Sequence, residues 1–189
     1  MRGMTGMLLA GALLGCSASA SAAELAGVTL ADEAIVADSE LTLNGLGLRE
    51  KFFVDVYVGG LYLSERVTEA EQAIAMDGPK RVVLHIVYDE IEHEKLVDAW
   101  NEGFEANLDD AQRQAFAGEI ERFNGLFETV KSGDEIAVEY LPATGTRVKL
   151  NGEIKGTVEG ADFAEAWLRI FIGDHPADDD LKAGMLGGS

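Results

Sequence analysis

The stretch NGLGLREKFFVDVYVGGLYL, residues 44–63, is the most hydrophobic segment of the acidic chain and contains a single arginine, Arg49. Residues 52–63 have the composition of a strand, and the glycines before Arg49 permit close pairing of two strands. In one straight strand, Arg49 and Tyr57 would stand about 26 Å apart. They can act together only if the chain reverses near residues 50–52. We therefore interpret 44–63 as a hairpin.

Arg49 has two interpretations. Its guanidinium group carries five donors in a geometry that matches a carboxylate or a phosphate, so it could bind an anion. Alternatively, it could pair with Glu50 or Asp55 at the end of a strand, which would contribute little to stability. Composition does not choose between the two.

The overall composition is that of a single globular domain. The chain has 189 residues, of which 47% are hydrophobic and 26% charged, enough for a sizeable core. Its net charge is −19, from 15 basic and 34 acidic residues. Such a chain repels phosphate backbones and anionic membrane surfaces, which argues against nucleic-acid binding and against peripheral binding to a lipid surface.

The N-terminus resembles an export signal. Arg2 precedes an apolar run at 7–14, and Ala20-Ser21-Ala22 matches a signal-peptidase site. We predict a signal peptide at 1–23 and a domain at 24–189, located in the periplasm or secreted. The apolar run is too short to span a bilayer, so no transmembrane segment is expected in the mature chain. In an alternative interpretation, LLGC at 13–16 is a lipobox, and Cys16 carries a lipid.

The remaining pattern predicts an α+β fold, an antiparallel sheet with helices against one face. Alternation predicts a strand at 80–89, and Asn151-Gly152 predicts a second hairpin. Apolar stripes predict a pair of helices and a later helix, and their aromatic residues are interpreted as inward-facing core positions. The members of these stripes are Leu96, Trp100, Phe104 and Leu108; Phe116, Ile120, Phe123, Phe127 and Val130; and Phe163, Trp167, Ile170 and Phe171.

No pattern for a metal, a cofactor or a catalytic group emerges. The three histidines, His85, His93 and His175, are far apart in the sequence and lack the spacing of metal ligands. The chain has no phosphate-binding loop, no dinucleotide fingerprint and no nucleophile elbow. We therefore predict no metal site and no cofactor, and these patterns argue against a serine hydrolase, a kinase and a dehydrogenase.

The segment 44–63 resembles the glycine-rich, arginine-bearing hairpin of the chalcone isomerase-like proteins. A second segment, AWLRIFIGDHPADDDLKAGML at 166–186, resembles the C-terminal helix and tail of the same family. The resemblance covers about residues 40–186 and implies an open-faced β-sandwich, a large antiparallel sheet backed by helices, with a ligand cleft between them. The family contains true isomerases, which cyclise chalcones, as well as fatty-acid-binding members and exported bacterial members.

The resemblance also suggests roles for individual residues. Arg49 matches the cleft arginine of the family. Tyr57 lies at the position where the isomerases have a hydrogen-bonding threonine, and a tyrosine at this position resembles the fatty-acid-binding branch. The positions of the other isomerase polar groups fall near Glu92 or His93, near Ala99 and at Ile170, and none of those groups is kept. The resemblance therefore implies a non-catalytic protein.

Three functional hypotheses follow. The preferred one is an exported protein that binds a fatty acid or similar apolar carboxylate through Arg49 and Tyr57. The second is an intramolecular lyase of the chalcone isomerase type, with Arg49 as electrophile. The third is a structural or interaction protein of the cell envelope, in which Arg49 ties the hairpin to the sheet.

Overall fold

A seven-stranded antiparallel sheet organises the chain, as seen in a computed structural model that describes residues 22–188. The strands are β1 Ala22–Leu25, β2 Val28–Ala31, β3 Glu33–Val36, β4 Ser39–Lys51, β5 Val54–Leu63, β6 Lys80–Ile86, β7 Glu90–Ile91, β8 Val130–Lys131, β9 Glu135–Leu141, β10 Gly145–Leu150 and β11 Glu153–Val158. The helices are α1 Ala70–Ala75, α2 His93–Asn107, α3 Asp110–Ala115, α4 Ala117–Asn124, α5 Ala161–Ile172 and α6 Asp179–Met185. Residues 1–21, which include most of the predicted signal peptide and Cys16, lie outside the described part.

The order of strands in the large sheet is β11-β10-β9-β6-β5-β4-β3, and neighbouring strands are antiparallel throughout. One hairpin turn, at Asn151-Gly152, has positive φ at both residues, 51° and 81°, the conformation that an Asn-Gly pair favours. The predicted hairpin at this position is therefore confirmed. The strand predicted at 80–89 is also present, and it ends at Ile86.

The two faces of the large sheet are covered unequally. Alternate residues of the strands point to a helix-covered core that is rich in aromatic side chains: Trp100, Phe104, Phe123, Phe163, Trp167 and Phe171. The opposite face carries a smaller cluster, in which Leu30 of the β1–β2 hairpin packs over Leu43 and Val58. The predicted α+β class and the open-faced β-sandwich with a helix layer are thus confirmed.

The second helical stripe is broken, in contrast to the continuous pattern in the sequence. It forms two short helices, and α4 ends at Asn124 with Gly125 as its C-cap. Phe127 and Val130 are buried nonetheless, and Val130 pairs with Ile91 in the β7–β8 ribbon. The apolar residues of the stripe therefore extend beyond the end of α4. Residues in an extended conformation after the helix can face the same core as the helix does, so the sequence pattern does not show where the helix stops.

The glycines of β4 make room for α6. A Cβ placed on Gly45 would lie 2.2 Å from the carbonyl oxygen of Gly184, and one on Gly47 would lie 2.5 Å from that of Leu181. Asn44 completes the contact, because its Nδ2 donates to the carbonyl oxygen of Met185 at 2.7 Å. These glycines were expected to serve the pairing of strands. Their close approach is instead to the backbone of a helix.

None of the helices within residues 22–188 combines the length and the apolar character that crossing a membrane requires.

Candidate functional site

The β4–β5 hairpin brings Arg49 and Tyr57 together. Its turn is formed by Phe52 and Phe53, and the two strands pair so that Arg49 lies directly opposite Tyr57. A bulge after this pair lets Glu50 pair with Asp55 and leaves Val56 as the extra residue. The predicted hairpin is confirmed, with its turn slightly later than the expected reversal at 50–52.

Arg49 is in contact with an aromatic ring rather than with an acid. Its guanidinium carbon lies 5.6 Å from the centre of the Tyr57 ring, within the range of a cation–π interaction. Within residues 22–188, no carboxylate lies within 4.0 Å of this guanidinium group. Pairing with Glu50 or Asp55, the alternative left open by the sequence, is therefore absent.

Tyr57 is a buried residue with an unusual hydroxyl group. The side chain is 2% exposed, and its hydroxyl has no hydrogen-bond partner among the described residues. Burial raises the pKa of this hydroxyl above its ordinary value of 10.0. The neighbouring Arg49 guanidinium offsets part of the rise by its charge and by its closeness to the hydroxyl oxygen, although the geometry of the two groups falls short of a hydrogen bond. The phenol is therefore neutral near pH 7 and can donate a hydrogen bond.

Arg49 and Tyr57 line a cavity of about 380 Å³ between the hairpin and the start of α2. Its walls are largely apolar and come from β5, β7 and α2: Val54, Val56, Ile91, Leu96, Ala99 and Trp100. Lys51 and Lys95 add positive charge, and Glu90 is the acid among the residues that line it. Lys95 is engaged by Glu92 at 2.9 Å, a contact that raises the pKa of its ammonium group. The cavity thus combines an apolar interior with a local excess of cations.

Trp100 is a site residue that the sequence did not reveal. It is 2% exposed, and its indole Nε1 is buried without a hydrogen-bond partner in residues 22–188. The apolar stripe of α2 predicted it as a core residue, and it does pack against Phe123, Phe127 and Phe171. Nothing in a helical stripe distinguishes an indole whose N–H is satisfied from one whose N–H is not.

The positions that correspond to the other isomerase polar groups do not add polar side chains beside Arg49. Glu92 and His93 are exposed at the start of α2, and Ala99 offers the cavity only a methyl group. Ile170 is 1% exposed and packs against Gly103 in the core. No group of three or more metal-ligating side chains occurs within residues 22–188. A guanidinium group at the wall of an apolar cavity has the chemistry to orient an anion.

Comparison with known proteins shows the relationship directly. A search of curated protein sequences finds no match. Among solved structures, the chain is similar to the Arabidopsis thaliana fatty-acid binding protein AtFAP1, with 18% sequence identity and a TM-score of 0.70. The similarity covers 88% of this chain and 96% of that protein, and at this identity it shows a shared fold. The family model described as chalcone isomerase-like matches residues 22–187. Since this match spans most of the sequence, the chain belongs to the chalcone isomerase-like family.

Proposed function

We propose that the protein binds a fatty acid or a similar apolar carboxylate in the cavity between the β4–β5 hairpin and α2. The observation that supports this most strongly is the pair formed by Arg49, which has no carboxylate partner in residues 22–188, and the unpartnered hydroxyl of Tyr57. A buried polar group without a partner is destabilising, and a bound ligand can relieve that penalty.

The chemistry of the pair fits a carboxylate. Arg49 can donate charge-assisted hydrogen bonds, and the neutral phenol of Tyr57 can donate one more to the same head group. Trp100 also lines the cavity, and its buried indole N–H has no hydrogen-bond partner within residues 22–188. Arg49 and Tyr57 lie next to apolar walls, so the recognised molecule should be polar at one end.

The rest of the binding energy would come from the apolar tail. Each buried methylene group contributes about 0.8 kcal/mol, so a chain of several carbons outweighs what the head group gains. The volume of about 380 Å³ lies toward the small end of ligand pockets, which span about 300–1,000 Å³. A medium-length chain is therefore the best match. The fold shared with a protein named for fatty-acid binding agrees with this proposal.

The export signal at 1–23 belongs to the same proposal. A protein secreted or held in the periplasm would bind the ligand outside the cytoplasm, and the alternative lipidation at Cys16 would hold it at a membrane. The predicted signal lies largely outside the described residues, so the amino-terminal sequence of the mature protein, measured by mass spectrometry, tests this part separately.

Calorimetric titration of delipidated protein with decanoate tests the binding proposal. We expect saturable binding that is weakened at least tenfold by Arg49→Gln, since a hydrogen bond to a charged group contributes about 1.5–3 kcal/mol. Arg122→Gln, at an exposed arginine of α4, is the matched control and should leave affinity unchanged.

Two further measurements separate the alternatives. Methyl decanoate has the same tail without the charge, so equal affinity for ester and acid would refute the role of Arg49. An absorbance assay with a chalcone tests the isomerase alternative, and turnover above the buffer rate that is lost in Arg49→Gln would replace the proposal with catalysis.

A further inference from the structure

The turn of the β4–β5 hairpin is the most exposed apolar feature of the described chain. Phe53 is 100% exposed and Phe52 is 86% exposed. Val54 and Lys51 flank them as a cross-strand pair, and Val54 is 44% exposed. We call residues 51–54 the aromatic tip. Large apolar side chains scattered singly on a surface are ordinary, but two adjacent phenylalanines at the end of a projecting hairpin are not.

The backbone of the aromatic tip is also unfavourable for the residues it contains. Phe52 and Phe53 have φ of 53° and 64°, in the left-handed region that favours Gly, Asn and Asp. Asn151-Gly152 solves the same geometric problem in the β10–β11 hairpin with the preferred residues. Phenylalanine at both positions of a two-residue turn therefore stabilises neither the turn nor a core within residues 22–188.

We propose that the aromatic tip docks on a lipid bilayer by inserting Phe52 and Phe53 into the interfacial region. The contact area supports a bilayer over a protein partner. Two phenylalanine side chains bury about 300–500 Å² together at about 150–250 Å² each. A standard protein interface needs about 800 Å² from each partner. A narrow projecting turn fits a soft interface, where aromatic side chains are favoured and where the Lys51 ammonium group can reach lipid phosphates.

The surrounding charges determine which bilayer is favoured. Glu50 and Asp55 face each other on the next pair of the ladder, about 3.4 Å behind the Lys51–Val54 pair. Together with the net charge of −19, they oppose an anionic surface and limit insertion to the tip itself. The docking surface is therefore shallow, apolar and selective for zwitterionic lipid. Added salt should strengthen attachment to anionic vesicles by screening the repulsion, the reverse of its effect on a basic patch.

The aromatic tip also adjoins the cavity. Lys51, Phe52 and Val54 line it, so insertion would place the entrance of the cavity at the membrane surface. This last point rests on the proposed function, since it would let an apolar carboxylate pass between bilayer and protein without crossing water. The docking itself does not depend on any ligand.

Flotation of the full chain with phosphatidylcholine vesicles tests the proposal. The informative variant is Phe52→Asn with Phe53→Gly, which removes both rings and installs the residues that the turn favours. We expect the fraction bound to fall at least about tenfold, because the variant lacks the two rings that would be buried in the bilayer. The melting temperature should stay equal or rise, because Asn and Gly adopt the positive φ of the turn more readily than phenylalanine does. Ile154→Asn, at a residue of β11 that is 56% exposed, is the control and should bind like the wild type.

Three results would overturn the proposal. The first is that the wild type does not float with the vesicles, and the second is that the double variant floats equally well. The third is that the wild type self-associates in sedimentation and the double variant does not, because the exposed rings would then be covered by a second copy of the chain. Decanoate titration of Phe53→Gly keeps this test separate from the proposed function, because Phe53 is not among the residues that line the cavity. Lost flotation of Phe53→Gly with unchanged affinity supports docking, and unchanged flotation of this variant refutes it, whatever its affinity for decanoate.

Discussion

Gly47 of β4 lies against the backbone of Leu181 in α6, at a distance that leaves no room for a side chain. A Cβ on Gly47 would be 2.5 Å from the carbonyl oxygen of Leu181 and 2.7 Å from its Cα. Both obstacles are backbone atoms, which cannot rotate away. The helix is seated further by Leu181 and Met185, each 0% exposed. The contact thus joins an early strand to the last helix.

Gly47→Ala should lower the free energy of unfolding by about 1–3 kcal/mol, the usual effect of overpacking. Urea denaturation followed by circular dichroism measures the change. Gly118→Ala is the matched control, because a Cβ at Gly118 in α4 meets nothing within 4 Å. That variant should be neutral or slightly stabilising, as alanine is the better helix former. Equal destabilisation by both would contradict the packing argument.

Tyr57→Phe should separate stability from binding. Removing a buried hydroxyl that lacks a partner in residues 22–188 should leave the ligand-free protein equally stable, or more stable by about 1 kcal/mol. The same change should weaken decanoate binding several-fold, because a donor to the carboxylate is lost. Thermal melts of delipidated protein and calorimetric titration measure the two effects. A large loss of stability would show that the hydroxyl supports the fold rather than the ligand.

Stability at alkaline pH should also depend on Tyr57. Burial raises the pKa of its hydroxyl in the folded state above the unfolded value of 10.0, so the folded state retains the proton longer than the unfolded state does. The resulting contribution is complete below pH 10 and is lost as pH rises above it. We expect Tyr57→Phe to flatten the decline in the free energy of unfolding above pH 10.

Two other buried groups need to be accounted for in that experiment. Burial also raises the pKa of Tyr62, which adds a decline of the same sign. Burial lowers the pKa of Lys80, so its penalty fades as pH rises toward 10.5 and acts in the opposite direction. The difference between wild type and Tyr57→Phe at each pH cancels both contributions. A difference that stays constant from pH 9 upward would contradict the prediction.

Glu139 should be important for stability. It is 0% exposed, and it accepts hydrogen bonds from Arg147 Nε at 2.9 Å and Lys149 Nζ at 3.1 Å. Arg81 lies 3.7 Å away. Glu139→Gln leaves these partly buried cations without their shared anion, so the free energy of unfolding should fall by about 3 kcal/mol.

A surface glutamate provides the comparison for Glu139. Glu153 contacts Lys155 at 3.4 Å with a side chain that is 75% exposed. Glu153→Gln should therefore change the free energy of unfolding by less than about 0.5 kcal/mol. Urea denaturation of both variants at neutral pH gives the comparison, and similar values for the two would show that burial of Glu139 adds nothing.

Much of the fold could be predicted from local patterns. Alternation located β6, with Val82, Leu84 and Ile86 on one face, and all three lie in the helix-covered core. Asn151-Gly152 located a turn because its residues suit positive φ. The turn at Phe52-Phe53 could not be located in this way, since two phenylalanines carry no turn signal. The tertiary structure holds the chain there against local preference.

The candidate site was predictable only in part. Once the segment 44–63 was interpreted as a hairpin that reverses between Arg49 and Tyr57, the proximity of these two residues could be predicted. Their function as ligand-binding residues stays a prediction. The contribution of Trp100 depends on whether its N–H finds a partner, a property of the tertiary structure. The close approach of α6 to Gly45 and Gly47 depends likewise on residues distant in sequence.

The hydrogen bond from Asn44 to Met185 closes a loop of 141 residues. Contacts between residues this far apart in sequence slow folding, because the chain loses the entropy of loop closure before the contact contributes any stabilisation. A nascent chain cannot cover the glycines of β4 until α6 has been made. Under the proposed export this delay is an advantage, since translocation in an unfolded state needs a domain that does not close early. The same architecture predicts that a chain truncated before α6 would expose β4 and be prone to aggregation during synthesis.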